Sequence, residues 1–178
     1  DNQANFGGGI GLFNSDPQIS DIIISGNYAI AGGGLFIWES NPIMTYGIVT
    51  DNTSEDWGGG LVSIVSSNPS ISNTNFINNN CWNVGNELAV GFFQNNSTAN
   101  ITNCIIFNDS GSEVDPANPT YNIEGSPNIT YSFVSGGYEG EGNLDTIPLF
   151  CDPEGGDFTL AENSPLLGSG ENGSNIGA

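Results

Sequence analysis

Any acid–base chemistry in this chain falls to carboxylates, because 20 Asp and Glu residues stand beside no Lys, Arg or His. Ser-His-Asp and Cys-His nucleophile arrangements need an imidazole that the sequence lacks, and so do zinc sites of the usual kind. What remains is a paired-carboxylate glycosidase, which requires two carboxyl groups roughly 5 to 9.5 Å apart. Aligned on the repeat described below, the acids do not share columns. Asp16 stands with Asn41 and Asn68, Asp21 with Tyr46 and Asn73, Glu39 with Asn14 and Ser66, and Asp51 with Gly26 and Asn78. No catalytic residues are expected.

Two acid-rich stretches could do metal chemistry instead. Glu139, Glu141 and Asp145 are interleaved with glycines, and Asp152, Glu154 and Asp157 flank Gly155 and Gly156. Calcium takes six to eight oxygens from flexible acidic loops of this kind. Neither stretch has the EF-hand spacing, and solvated acidic turns would look the same. The formal net charge of -20 excludes nucleic acid and anionic membrane surfaces as electrostatic partners, since nothing can neutralise a phosphate. It fits a highly soluble extracellular protein, a surface whose charge divalent cations offset, or one that escapes proteases cutting after Lys or Arg.

The elements that would position these residues are set by a repeat of about 25 residues. Gly7-Gly8-Gly9, Gly32-Gly33-Gly34 and Gly58-Gly59-Gly60 are each followed by Ser-Asp/Asn-Pro, at Ser15-Asp16-Pro17, Ser40-Asn41-Pro42 and Ser67-Asn68-Pro69. Asn2, Asn27, Asn52 and Asn79 precede the blocks, and Ala4, Ala29, Ser54 and Cys81 follow them by two. Beyond the glycines run the columns Ile10, Leu35, Leu61, Leu88 and Leu12, Ile37, Ser63, Val90. Beyond the prolines run Ile19, Met44, Ile71, Ile101 and Ile24, Val49, Phe76, Ile106. Alternation at a period of two predicts short strands with one face inward, and Gly, Pro, Asn and Ser mark the corners. The expected fold is an all-β, right-handed parallel β-helix of five or six coils, the asparagines stacking as a ladder at one bend. Coils are expected over 1–135, and an irregular capping or covering segment over 136–178. Cys81 and Cys104 fall in different columns and are not expected to be bonded.

The motif Asn27-Tyr28-Ala29-Ile30-Ala31-Gly32-Gly33-Gly34-Leu35 resembles the repeat of bacterial β-helix proteins related to polymorphic outer membrane proteins. The tail, with Gly136-Gly137-Tyr138, Pro148-Leu149-Phe150, Gly156-Asp157-Phe158-Thr159-Leu160 and Ser164-Pro165, is similar to the closing segment of secreted β-helix proteins of the choice-of-anchor class. The tail has Ile147 and Gly168 where that pattern carries aspartates. The resemblance implies a secreted or cell-surface location, and adhesive, lytic or structural roles equally, since fold does not decide function.

Two features point to an interaction surface. Apolar residues occupy columns that should face water: Phe36 and Val62; Phe13, Trp38 and Ile64; and Ile23, Ile48, Ile105 and Phe133. A tail folded back could cover one such face. The repeat is also under way from Asn2, so no polar cap precedes it, and the chain reads as a mature product or a fragment. The expected function is a non-catalytic extracellular structural protein that self-associates as a filament or surface layer, through Ala4, Phe6 and Ile10 of the first coil and through Phe13, Phe36, Trp38 and Ile64. The alternative is a carbohydrate-binding or carbohydrate-cleaving module using Trp38, Trp57 and Trp82 as stacking platforms, with calcium as a bridge.

Overall fold

In a computed structural model the chain is a parallel β-solenoid of about four turns. Residues 1–91, 96–108 and 123–178 are described. Four sheets run along its length. Sheet I holds β1 (Gln3–Phe6), β5 (Tyr28–Ala31), β9 (Thr53–Trp57) and β13 (Asn80–Cys81). Sheet II holds β2 (Ile10–Phe13), β6 (Leu35–Trp38), β10 (Leu61–Ile64), β14 (Leu88–Val90) and β17 (Ile123–Gly125). Sheet III holds β3 (Gln18–Ser20), β7 (Ile43–Thr45), β11 (Ser70–Ser72), β15 (Asn100–Thr102) and β18 (Asn128–Thr130). Sheet IV holds β4 (Ile23–Ser25), β8 (Ile48–Thr50), β12 (Asn75–Ile77), β16 (Ile105–Phe107) and β19 (Phe133–Val134).

The strand registers reproduce the sequence columns. Leu35 pairs with Ile10 and Leu61, Met44 with Ile19 and Ile71, and Val49 with Ile24 and Phe76. Their side chains point inward and form the long core with Leu88, Val90, Ile101, Ile106, Ile129 and Val134. The turn count is below the five or six expected because the later repeats are longer, 30 residues separating the paired Ser67 and Ser97 against 25 between Ser15 and Ser40.

Corner chemistry explains where the polar residues lie. The first glycine of each block, Gly7, Gly32 and Gly58, has φ between +55° and +66°, a region closed to most L-residues. Its neighbours Gly33 and Gly59 are needed for space: a Cβ at Gly33 would lie 2.5 Å from the Thr53 carbonyl oxygen and 2.6 Å from that of Gly59. Other corners take the same left-handed conformation at Asn14 and Glu39, at Asp21, Tyr46, Asn73, Asn103 and Tyr131, and at Asp51 and Asn78. Asn and Asp tolerate it best among residues with a side chain. Several scattered acids are therefore corner residues.

The third coil is longer by two residues, and both are visible. β9 bulges between Ala29 and Ala31 of its partner strand, and Val65 and Ser66 both turn left-handed where single residues serve in the earlier coils.

Beyond the coils, β20 (Phe150–Asp152) and β21 (Asp157–Leu160) form an antiparallel hairpin. Phe158, Leu166 and Ile176 bury against the outer side of sheet IV, on Ile77, Ile105 and Phe133. Backbone and amide contacts fix this segment: Gly177 N–H donates to the Asn103 carbonyl at 2.7 Å and Ala178 N–H to Asn75 Oδ1 at 2.9 Å. The tail thus covers one of the two outward apolar columns, but only over the later coils. Ile23 remains 68% exposed.

Candidate functional site

The asparagine column is a continuous hydrogen-bonded ladder with a direction. The N–H and Nδ2 of Asn2 both donate to Asn27 Oδ1, those of Asn27 to Asn52 Oδ1, and those of Asn52 to Asn79 Oδ1, at 2.9 to 3.1 Å. Glycine at the third block position makes room for it, since a Cβ on Gly9, Gly34 or Gly60 would come within 3.1 to 3.2 Å of an asparagine Nδ2. In the fourth coil that position is Glu87, and its carboxylate enters the column. Asn79 donates from N–H at 3.1 Å and from Nδ2 at 2.6 Å, and Asn108 Nδ2 donates at 3.1 Å. The Glu87 oxygens accept all three of these bonds and, among the described residues, no further asparagine follows in the column, so the ladder stops there. Burial pushes the Glu87 pKa up to about 8 against these donors.

A serine column repeats the device at another corner. Ser15 N–H donates to Ser40 Oγ, Ser40 N–H to Ser67 Oγ and Ser67 N–H to Ser97 Oγ, at 2.9 to 3.1 Å.

The two ends differ. At the carboxyl side, Tyr138 packs onto the core and donates its hydroxyl to the Pro127 carbonyl at 3.0 Å. Asn143 Oδ1 accepts from Ser132 N–H at 3.0 Å while its Nδ2 donates to the Ile129 carbonyl at 2.9 Å. Leu144 bridges β19 in parallel fashion, its N–H bound to the Ser132 carbonyl at 2.8 Å. At the other side β1, β2, β3 and β4 are all sheet edges. The inward residues Ile10, Leu12, Ile19 and Ile22 are only half-buried. Among the described residues no donor reaches Asn2 Oδ1.

Beside this open edge lies an aromatic cluster. Phe6 and Phe13 lean on Phe36 with ring centroids 4.9 and 5.5 Å apart, and Trp38 stacks on it at 6.3 Å. The exposures of Phe6, Phe13 and Trp38 are 47%, 51% and 37%. Phe36 and Ile64, expected to face outward for association, are instead buried with Val62, Ala31 and Ala89, and Trp57 packs against them. The alternation placed them correctly on the outer side; rings from neighbouring strands and corners cover them there. Ala4 and Ile10 lie half-buried in the first coil, as part of its interior column rather than on its outer face.

The chain matches no family model, no curated protein and no solved structure. Its surfaces are therefore read from their own chemistry.

The expected calcium residues are not brought together: among the described residues no group of three or more acidic, His or Cys side chains could hold a metal ion. Local donors take up most of them. Tyr131 Oη donates to Glu141 Oε1 at 2.7 Å, Gly136 N–H to Asp145 Oδ1 at 3.2 Å, and Gly155 N–H to Asp152 Oδ1 at 3.1 Å. Thr159 holds the Asp157 carboxyl below its ordinary range through bonds from its hydroxyl and N–H. Glu139 and Glu154 are exposed. The cysteines are all free, and burial pushes the Cys104 thiol up to about 12.

Glu87 escaped the sequence reading. Its signal was present, as the one block that reads Gly85-Asn86-Glu87 where the other copies have three glycines.

Proposed function

We propose that this chain is a non-catalytic structural solenoid of the cell exterior that self-associates through its first coil, in line with the outer-membrane-type β-helix repeats its motif resembles. One observation carries the reading. Phe6, Phe13 and Trp38 form an outward aromatic patch, 37% to 51% exposed, beside β1, β2, β3 and β4, which each end a sheet. Unpaired edges are templates for another chain. With a net charge of -20 and no cation for a salt bridge, contact must rest on backbone hydrogen bonds and on apolar burial, worth roughly 25 cal/mol per Å².

Edge pairing of first coil to first coil stops at two copies. A filament or layer then needs the second contact, the Phe6, Phe13 and Trp38 patch. Light scattering on the chain across a range of concentration and salt tests this. Particles well above 18.6 kDa that grow with salt are expected; a monomer at high salt and high concentration overturns the reading.

A further inference from the structure

The outer face of sheet I carries a groove that starts at the first coil and lies apart from the Phe6, Phe13 and Trp38 patch. Gln3, Tyr28, Thr53 and Asn80 stack in one outward column, and Asn5, Ile30 and Glu55 follow two residues on. Gln3, Asn5, Tyr28, Ile30 and Glu55 line a cavity of about 570 Å³. Its aromatic wall is held in place: the Tyr28 hydroxyl donates to Glu55 Oε1, and the Trp82 indole meets the Tyr28 ring at 6.0 Å and 60°. Trp82 is still 67% exposed, the largest exposure of any aromatic side chain described.

The chemistry of the lining selects a ligand class. Indole and phenol rings offer flat apolar area, which suits the C–H face of a sugar ring. Glu55 accepts hydrogen bonds, and the amides of Gln3 and Asn5 both donate and accept, which suits hydroxyls around that ring's edge. Sulfated, phosphorylated or uronic chains are disfavoured, because the groove has a carboxylate and the chain has no Lys, Arg or His to receive an anion. An apolar peptide would leave Glu55, Gln3 and Asn5 desolvated without partners. We propose that this groove binds neutral glycan chains, with a sugar ring stacked on the exposed indole of Trp82 beside Tyr28 and hydroxyls of the chain held by Glu55, Gln3 and Asn5.

The test is affinity electrophoresis of the whole chain through gels containing β-glucan, xylan, galactomannan or, as the anionic control, polygalacturonate. Retardation by at least one neutral polymer and none by polygalacturonate is expected. Trp82→Ala and Glu55→Ala should each weaken binding at least tenfold with unchanged circular dichroism, whereas Trp38→Ala, in the aromatic cluster of sheet II, should bind as the parent does. The proposal is overturned if no neutral polymer retards the chain, or if Trp82→Ala and Glu55→Ala are retarded as strongly as the parent. Trp38→Ala separates this site from the association surface, since it impairs assembly and leaves the groove intact.

Discussion

The two terminal coils of the described solenoid are covered to different extents. Each terminal coil presents a cross-section of apolar side chains and a set of unpaired strand edges. At the carboxyl side a short excursion of the chain covers part of each: Tyr138 packs on the core, Asn143 replaces the next rung of polar side chains, and Leu144 supplies a bridging partner for β19, while Ile123, Ile129 and Val134 still line a cavity of about 490 Å³. The asparagine ladder is sealed one coil earlier by Glu87. The first coil has the same repeat residues as the coils behind it, and they are left half-buried.

The comparison can be broken most severely at Glu87. Replacing it by Ala leaves the Asn79 N–H and Nδ2 without acceptors in a buried site, and at 1 to 3 kcal/mol per lost partner the expected cost is about 4 kcal/mol in urea unfolding. The same residue gives a pH signature. Its pKa is raised from 4.5 to about 8 in the folded protein, so between those values the native state holds a proton that the unfolded state has released. The associated stability is complete below about pH 4.5 and is lost as pH rises through 8. From about pH 6 the surface carboxylates are already ionised, so a fall in Tm between pH 6 and 8 is expected in the parent. Its absence in Glu87→Gln would assign the slope to this group.

Uncovering the carboxyl-side coil is the next largest change. Tyr138→Ala removes a half-buried ring from the core's end, at an expected cost of about 2 kcal/mol, and should let the carboxyl-side coil join in association, raising particle size. Within the ladder the ends should again differ. Asn52→Ala, in the buried middle, is expected to cost about 2 kcal/mol, and Asn2→Ala, at the open end, under about 0.5 kcal/mol; equal costs would mean that the ladder is not open at Asn2. Trp38→Glu, which removes a ring stacked on Phe36, is expected to cost about 1 kcal/mol by thermal unfolding and should reduce assembly in light scattering.

Much of the fold was legible because the period is nearly constant. A two-residue alternation, repeated in register, identifies the inward columns without any tertiary knowledge, and Ile19, Met44, Ile71 and Ile101 stack as their spacing implies. Glycine blocks gave the tight corners for the same reason. Less legible were contacts that cross from one sheet to another. Phe36 and Ile64 occupy outward positions yet are buried, because rings from strands at a different corner of the coil lie over them, and no periodicity within one strand records that. The tail was also opaque, since its acids lie close in sequence but turn toward separate local donors such as Gly136 N–H and Thr159. Glu87 was missed because a column search rewards sameness, and its role depends on differing.

The central claim is that the first coil is open to association while the carboxyl-side coil is partly covered, and residue-resolved hydrogen exchange tests it most directly. In dilute protein the amides of β1 to β4 should exchange fastest of all the coils and become protected as concentration rises, while those of β18 and β19 stay protected throughout. If the first coil is as protected as the last in dilute monomer, or if protection rises with concentration at β18 and β19 instead, the assignment of the open and the partly covered coil is contradicted.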